Sequence, residues 1–267
     1  MIDWQIHHRE VTASTNLDAR TGTHGDVFTA DYQTEGRGCR NHVWVSPAKT
    51  NLMMSVVLSV EGLTPEQIVT LLLVIGLSVC KAMSSMVAEG AFQLKWPNDV
   101  LMRGKKVAGV LCERNGDKMI VGIGVNVNQR DFPFEIVDRA TSILLETGRE
   151  LEVTAVRNAL LGQLDKWYGI WRERGFAAVY PEIAAVDAQR GRTVSIRMDD
   201  DANFITGVSN GIMQDGSLDV GGWRVSPRSV RDYREQHTTR SSSHRESPYA
   251  EGSKCATMST KPKGANR

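Results

Sequence analysis

The chain has 267 residues, of which 41% are hydrophobic and 24% are charged. This length and composition are typical of a soluble globular protein with one large core, or with a main domain and a smaller one. The formal net charge of +1 gives no whole-protein electrostatic argument for nucleic acid or for an acidic membrane as a partner.

The four cysteines, Cys39, Cys80, Cys112 and Cys255, are far apart and form no C-x-x-C pair. Neither a disulfide framework nor a zinc site is therefore expected. The first ten residues do not have the pattern of a secretory leader, so we expect a cytoplasmic protein. The most apolar run, residues 68–79, is shorter than the roughly 20 residues that cross a bilayer. We interpret this run as a buried helix and expect no membrane partner.

Near the start of the chain, Ser14, Thr15 and Asn16 precede apolar residues, which is a pattern typical of a helix N-cap. The same side chains could instead face a polar ligand. The two roles are compatible, because one hydroxyl can cap the helix while its neighbour points outward. Residues 26–33 follow with strand-forming side chains and are predicted to be a strand.

A glycine- and arginine-rich segment, ADYQTEGRGCRNHVWVSP, occupies residues 30–47. Gly36 and Gly38 allow backbone to approach a ligand closely and expose N–H donors. Arg37 and Arg40 bring guanidinium groups that suit phosphate or carboxylate. An anionic ligand is the functional interpretation of this segment, and an ordinary flexible basic loop is the alternative.

Residues 52–60 alternate in a period-2 pattern that predicts a half-buried strand. Thr64 and Gln67 then form a capping box with Pro65 at the first helical position, so we predict a helix that ends near Val87. Its apolar residues nearly surround it. Such a helix must be covered by a sheet and by other elements, which predicts a layered α/β or α+β domain.

The sequence QLKWPNDV at residues 93–100 predicts a strand that breaks into a turn. Asp99 in that turn either caps backbone N–H groups or positions a metal or phosphate. Lys106, at the start of the next strand, is either an exposed solubilising lysine or one that points at an anion. A hairpin is predicted at Asn115-Gly116, and the returning strand contains Gly122 and Gly124, which indicate close backbone approach by a ligand.

The C-terminal part changes character after two predicted helices at residues 153–174 and 176–186. Short strand-like runs at residues 194–198 and 204–208, with turns at Asn210-Gly211, Asp215-Gly216 and Gly221-Gly222, predict a small antiparallel barrel or sheet. After Val230 there is no Leu, Ile, Val or Phe. A segment with so little to bury cannot offset its ordering entropy, so residues 235–267 are predicted to be a disordered tail.

Five motifs, in this order, resemble the biotin protein ligases, also called biotin-[acetyl-CoA-carboxylase] ligases. They are Ser14-Thr15-Asn16, the loop from Gln33 to Trp44 set against the family's GRGRxGRxW, KWPND at Lys95 to Asp99, KxAG at Lys106 to Gly109, and GIGxN at Gly122 to Asn126. The resemblance implies an α/β (α+β) catalytic domain related to class II synthetases, with a mixed sheet, at residues 1–188. A small SH3-like C-terminal domain at residues 189–234 would follow it.

The resemblance also implies a two-step reaction. Biotin's carboxylate attacks the α-phosphate of MgATP, which gives biotinyl-5'-AMP and pyrophosphate. A lysine of a biotin carboxyl carrier domain then attacks the mixed anhydride, and AMP leaves. The anhydride hydrolyses readily in water. A loop that becomes ordered over the anhydride would therefore protect it from hydrolysis as well as bind it.

The resemblance assigns roles to individual residues. Ser14, Thr15 and Gln33 would bond the ureido end of biotin, and the remaining residues expected to bind biotin are Asn16, Gly36, Arg37, Gly38, Cys39, Lys106, Gly122 and Gly124. Those expected to bind nucleotide are Arg40, Trp44 (stacked on adenine), Asn98, Asn126 and Arg231. Lys106, Arg37 and Arg40 would act on developing negative charge, and Asp99 lies where the family positions a metal or the attacking amine.

The loop departs from the family pattern at three positions. Cys39 and His42 replace the usual arginines, and Asn41 replaces the usual glycine. These departures leave open a biotin-binding pseudo-enzyme with a decayed nucleotide loop. A lipoate or octanoate ligase or transferase, which shares the fold, is the other alternative, although KWPND together with GRG favours biotin. No basic recognition helix precedes Ser14, so DNA binding is not expected. The oligomeric state is left open, with a homodimer as one alternative.

Overall fold

The larger of two sheets has seven strands. The computed structural model describes residues 1–39, 42–88, 91–198, 204–227 and 230–235, the last of these as backbone only. In chain order the strands are β1 (Gln5–Thr12), β2 (Asp26–Gln33), β3 (Leu52–Ser59), β4 (Phe92–Lys95), β5 (Asp99–Met102), β6 (Lys105–Asn115) and β7 (Lys118–Val125). Their order across the sheet is β1-β2-β3-β7-β6-β5-β4. Because β1 and β2 are parallel and the other neighbours antiparallel, the predicted mixed sheet is confirmed.

Five α-helices accompany this sheet in the described part of the chain. They are α1 (Thr15–Asp18), α2 (Pro65–Met86), α3 (Ile143–Thr147), α4 (Val153–Arg174) and α5 (Tyr180–Ala185). The predicted capping box of α2 is confirmed, since Gln67 N donates to Thr64 Oγ1 at 3.3 Å and Thr64 N donates to Gln67 Oε1 at 2.9 Å. The predicted bounds of α4 are also confirmed, and α4 packs on α2, where Trp171 Nε1 donates to Thr70 Oγ1.

Helix α2 confirms the interpretation of residues 68–79 as part of a buried helix, although the helix is longer than that run. With 22 residues, and with a mean hydropathy of 2.0 over an 18-residue window, it is, among the described helices, long and apolar enough to cross a membrane. However, 72% of its apolar window is buried inside the protein. Helix α2 is therefore apolar because it is a helix of the protein core.

Strand β3 also differs from the prediction, because it is buried on both faces rather than on one. Leu52, Met54 and Val56 belong to the main core. On the opposite face, Val57 packs with Ala19 and Ile120 in a second small cluster. The period-2 pattern came from residue types alone, and it could not show that α1 and its 3₁₀ turn cover the second face.

The smaller sheet has five antiparallel strands, which confirms the predicted C-terminal antiparallel fold. They are β8 (Thr193–Met198), β9 (Phe204–Ile212), β10 (Leu218–Val220), β11 (Trp223–Val225) and β12 (Val230–Glu235), in the order β11-β10-β9-β8-β12. Asn210-Gly211 lies inside β9, so the turn predicted there was wrong. Glu235 pairs with Val194 and therefore does not belong to a tail; residues 236–267 lie outside the described part of the chain.

Trp96 joins the two sheets. Its side chain is fully buried, its Nε1 donates to the carbonyl of Gly216 at 3.0 Å, and its backbone N donates to Gln189 Oε1 at 2.6 Å. The KWPND motif therefore fixes the start of the second sheet as well as the turn before β5. The domain boundary after residue 188 stays a prediction.

Candidate active site

A cleft of about 460 Å³, including open solvent at its mouth, lies over the centre of the larger sheet. Side chains and backbone from the start of α1, the end of β2, the loop after β2, and strands β3, β6 and β7 line it. The lining residues are Ser14, Thr15, Asn16, Gln33, Arg37, Gly38, Cys39, Trp44, Met53, Met54, Asn98, Lys106, Gly109, Val110, Leu111, Gly122, Ile123 and Gly124. All five sequence motifs therefore contribute residues to one cleft, although Asn126 of GIGxN and Asp99 of KWPND are not among its lining residues.

Hydrogen bonds connect the polar residues at the floor of the cleft. Thr15 donates to Gln33 Oε1 twice, from its backbone N at 2.7 Å and from its Oγ1 at 3.0 Å. Because both partners are donors, the Gln33 oxygen must face Thr15, which leaves the Gln33 NH₂ group to face elsewhere. Ser55 Oγ lies 2.7 Å from Thr15 Oγ1 and 2.6 Å from Asn16 Oδ1.

The start of α1 does not use these side chains as caps. Ser14 is the N-cap residue by backbone conformation, but its side chain makes no capping hydrogen bond. Ser14, Thr15 and Asn16 are each less than 5% exposed. The prediction of a side-chain cap was therefore wrong, and these polar groups are instead buried against the cleft floor.

Gly122 and Gly124 are required because side chains, rather than a ligand, approach the strand closely. A Cβ at Gly122 would lie 2.3 Å from Asn16 Oδ1, and a Cβ at Gly124 would lie 2.5 Å from the Trp44 ring. A Cβ at Gly109, which pairs with Gly124 across the sheet, would lie 3.1 Å from both Trp44 and Lys106. The glycines thus let the Asn16 and Trp44 side chains approach the sheet closely, where both line the cleft.

The loop between β2 and β3 folds back on itself. Trp44 N donates to Gly36 O at 2.9 Å, and Gly38 N donates to His42 O at 2.7 Å. A Cβ at Gly36 would lie 2.2 Å from the Trp44 carbonyl oxygen, so glycine is needed there for the loop to close. The expectation that Gly38 presents its N–H to a ligand was wrong for this conformation. Arg40 and Asn41 lie outside the described residues.

Two contacts hold the described part of this loop against β6. Arg37 NH1 lies 3.3 Å from Glu113 Oε1, and Cys39 Sγ lies 3.5 Å from the Val110 carbonyl oxygen. Asn98 Nδ2 also bonds the Val110 carbonyl, at 3.1 Å, and lies 3.2 Å from Cys39 Sγ. Cys39 therefore contacts protein groups at a position where the family usually has an arginine.

Lys106 and Asp99 lie together at the edge of the cleft. Lys106 Nζ is 2.7 Å from Asp99 Oδ1 and 5.6 Å from the centre of the Trp44 ring. Asp99 is the first residue of β5 rather than part of the preceding turn, and its Oδ1 makes this ion pair without a directed hydrogen bond.

Trp44 Nε1 is buried without a hydrogen-bond partner among the described residues. A buried N–H group is costly to leave unsatisfied, so a ligand acceptor would be favoured beside it.

Besides Arg40, which lies outside the described residues, two predicted nucleotide-binding residues are not among the lining residues. Asn126 is 5% exposed, and its Nδ2 donates to the Thr141 carbonyl at 3.0 Å, so its described contacts are structural. Arg231 lies on β12, and its side chain is outside the description. Their roles remain predictions.

Two polar residues that bond the cleft floor without lining the cleft themselves were missed from the sequence. Glu113 follows Gly109 and Leu111 at period 2 on β6, and that alternation could have placed it on the cleft side. No local sequence pattern indicates a role for Ser55, because a single small residue in a buried strand is common.

Among the described residues, no group of three or more His, Cys, Asp or Glu side chains could hold a metal ion. Burial raises the pKa of the Cys80 thiol to about 12, and burial also raises the pKa of Cys112. Both buried thiols are therefore poor metal ligands, because a metal is bound by the thiolate. The absence of a zinc site stays an expectation.

Comparison with known proteins identifies the family. Residues 8–129 match the model of the Biotin/lipoate A/B protein ligase family. A biotin-[acetyl-CoA-carboxylase] ligase of Mycobacterium tuberculosis is 32% identical over 227 residues, which cover 80% of this chain and 83% of that protein. The bifunctional ligase/repressor BirA of Escherichia coli is 30% identical over 199 residues, which cover 73% of this chain but 61% of BirA. The chain thus spans about three fifths of the length of BirA.

Solved structures agree in fold. The biotin protein ligase from Aquifex aeolicus in complex with biotin and ATP has a TM-score of 0.78 and 31% identity, and the match covers 86% of this chain and 99% of that one. Its ligand-free structure has a TM-score of 0.76. The chain therefore belongs to the biotin protein ligases of the biotin/lipoate A/B protein ligase family.

Proposed function

We propose that this chain activates biotin with ATP to biotinyl-5'-AMP and transfers the biotinyl group to a lysine of a biotin carboxyl carrier domain. The observation that carries this proposal is the convergence of Ser14, Thr15, Gln33, Arg37 and Lys106 on one cleft. That cleft combines a hydrogen-bonding floor with two cationic side chains. A ligand with a polar uncharged head and an acidic tail, such as biotin, suits this distribution.

The polar floor is suited to a cyclic urea. Gln33 has its oxygen fixed by two donors from Thr15, so its NH₂ group is the part that remains to donate. Ser14 and Asn16, both buried in the lining, add further polar groups. Because buried polar groups need partners, a ligand that both donates and accepts hydrogen bonds would satisfy this region.

The cationic side chains are suited to the chemical step. As the carboxylate attacks phosphorus, negative charge develops on the phosphoryl oxygens, and the Lys106 ammonium and the Arg37 guanidinium would stabilise it. Trp44 lies over Gly124 and Gly109 and has an unsatisfied Nε1, which supports a nucleotide beside it. The loop that carries Arg37 would also exclude water from the anhydride.

The residues present fit a magnesium ion that arrives with ATP better than one held by protein alone. The described residues contain no cluster of three metal-ligating side chains, and Mg²⁺ commonly uses one or two carboxylates together with substrate phosphates. Asp99, at the edge of the cleft, is the candidate carboxylate. When bound there, Mg²⁺ would neutralise phosphate charge during adenylation.

ATP–pyrophosphate exchange with biotin, lipoate and octanoate in parallel tests the proposal. Exchange that depends on biotin, followed by labelling of a carrier domain, is the expected result. Exchange with lipoate or octanoate alone would assign the chain to the other branch of the family. Biotin binding without exchange would indicate a pseudo-enzyme.

We also propose a cytoplasmic location, which the protonated, unpaired thiols of Cys80 and Cys112 support.

A further inference from the structure

Glu113 connects two parts of the cleft that are distant in the sequence. Its Oε2 accepts a hydrogen bond from Asn16 Nδ2 at 2.7 Å, and its Oε1 lies 3.3 Å from Arg37 NH1. The carboxylate therefore bridges the start of α1 and the loop from a fixed position on β6. Its side chain is 27% exposed, so solvent screens the pair only in part.

The first contact fixes the orientation of Asn16. A carboxylate only accepts hydrogen bonds, so the amide nitrogen of Asn16, and not its oxygen, must face Glu113. Asn16 Oδ1 consequently faces Ser55 Oγ, at 2.6 Å. The amide plane also lies directly above Gly122. Removing the acceptor at Glu113 would leave the amide free to rotate.

The second contact holds the loop when no anion is bound. Arg37 is a long side chain with 41% exposure, and such side chains lose entropy when they are ordered. The Glu113 carboxylate gives its guanidinium an anionic partner on β6. The loop is thereby kept near the position from which Arg37 can reach an incoming acidic ligand, which reduces the ordering cost of binding.

We propose that Glu113 is a positioning residue of the ligand site, which orients Asn16 and docks Arg37 before the ligand arrives. Glu113 acts through these two side chains and does not itself line the cleft. The inference rests on the proposed function insofar as biotin is the ligand, whereas the docking of the loop is tested in protein without added ligand.

Two substitutions separate the contacts. Glu113→Gln keeps an oxygen that can accept from Asn16 but cannot form an ion pair with Arg37, whereas Glu113→Ala removes both contacts. Glu182→Gln is the matched control, because Glu182 forms an ion pair with Lys81, at 2.6 Å, away from the cleft lining. The measurements are the rate of tryptic cleavage after Arg37 in the ligand-free protein, the biotin Kd by calorimetry, and the melting temperature.

For Glu113→Gln, we expect cleavage after Arg37 to rise about two- to fivefold, as for loss of a partly exposed ion pair. The biotin Kd should rise by a similar factor, because binding needs the docked loop. Glu113→Ala should cleave equally fast but raise the biotin Kd by roughly a further tenfold, because the Asn16 amide has lost its acceptor. Glu182→Gln should match the wild type in both measurements.

Unchanged cleavage after Arg37 in Glu113→Gln would overturn the docking role. Equal biotin Kd values for Glu113→Gln and Glu113→Ala would overturn the orienting role. A general rise in cleavage at all sites with a lowered melting temperature would show that Glu113 is merely structural. If Glu113→Ala does not fold, Glu113→Gln still decides the docking role, and Glu113→Met, which has similar length but no oxygen, replaces Glu113→Ala in the comparison of biotin Kd values. If wild-type protein binds no biotin, the proposed function fails, while cleavage after Arg37 still decides the docking role.

Discussion

Lys106 and Asp99 form an ion pair at the edge of the cleft, with 2.7 Å between Nζ and Oδ1. The lysine enters from the start of β6 and the carboxylate from the start of β5, two antiparallel neighbours. Because both side chains are partly exposed, at 35% and 26%, the pair contributes little to stability. It leaves the ammonium group placed beside the cleft and able to exchange its carboxylate partner for an acidic ligand.

Replacing Lys106 by alanine should slow adenylation at least about tenfold, because the ammonium group stabilises developing negative charge. The melting temperature should change little, since a partly exposed strand-end lysine contributes charge rather than core packing. Biotin-dependent ATP–pyrophosphate exchange and thermal unfolding measure the two effects. Lys105→Ala, at the neighbouring position outside the lining, is the control. A melting temperature that collapses together with activity would show that Lys106 is structural.

Gly122→Ala should weaken biotin binding by roughly tenfold or more, because the new methyl group would lie 2.3 Å from Asn16 Oδ1 and overpacking commonly costs about 1–3 kcal/mol. Gly162→Ala, on α4 with nothing within 4 Å of the added Cβ, is the control. It should bind biotin normally and be more stable by up to about 1 kcal/mol. Titration calorimetry and denaturant unfolding give both values. Normal biotin binding by Gly122→Ala would exclude Asn16 from the site.

We expect the protein to retain its adenylate poorly, because the loop has Cys39 where the family usually has an arginine. Cys39 contacts the Val110 carbonyl rather than offering a fixed positive charge, and each charge-assisted hydrogen bond contributes about 1.5–3 kcal/mol. Losing one such contact weakens adenylate binding roughly ten- to a hundredfold. The protein should therefore release biotinyl-5'-AMP and label nearby lysines with little selectivity. Cys39→Arg should slow this release.

The corresponding measurement is adenylate dissociation from both forms at pH 6 and pH 8. Arginine keeps its charge at both pH values and binds phosphate in a bidentate manner, which neither His42 nor Cys39 can reproduce. Slow release from wild-type protein and Cys39→Arg alike would mean that other loop groups hold the ligand, and the leakage hypothesis would be rejected.

Truncation after Gln236 should leave biotin-dependent adenylation and carrier labelling unchanged, because residues 237–267 contain no Leu, Ile, Val or Phe. The cut must follow the strand that ends at Glu235, since that strand pairs with β8. Truncation after Val225 is the contrasting variant and should lower the melting temperature by removing β12. If the longer truncated form adenylates biotin but no longer labels the carrier, the tail is a docking segment.

The sequence by itself determined the local elements and the identity of most lining residues. The capping box at Thr64 and Gln67 predicted the start of α2, and the apolar spacing predicted the bounds of α4. The motifs at Ser14, Gln33 and Lys106 identified the cleft, because their residue types and their order along the chain are visible without a fold. These features depend on neighbours within a few positions, which is the range over which sequence patterns carry information.

Only the tertiary structure decided which of those residues meet. Asn16 and Glu113 are 97 positions apart, and no local pattern predicts that one carboxylate binds both Asn16 and Arg37. The same holds for Asn126, which the family motif assigned to nucleotide but which donates to Thr141 in the interior. Hydrogen-bond partners are chosen by the packing of strands and loops that are distant in the chain, so side-chain roles depend on the assembled sheet rather than on the motif alone.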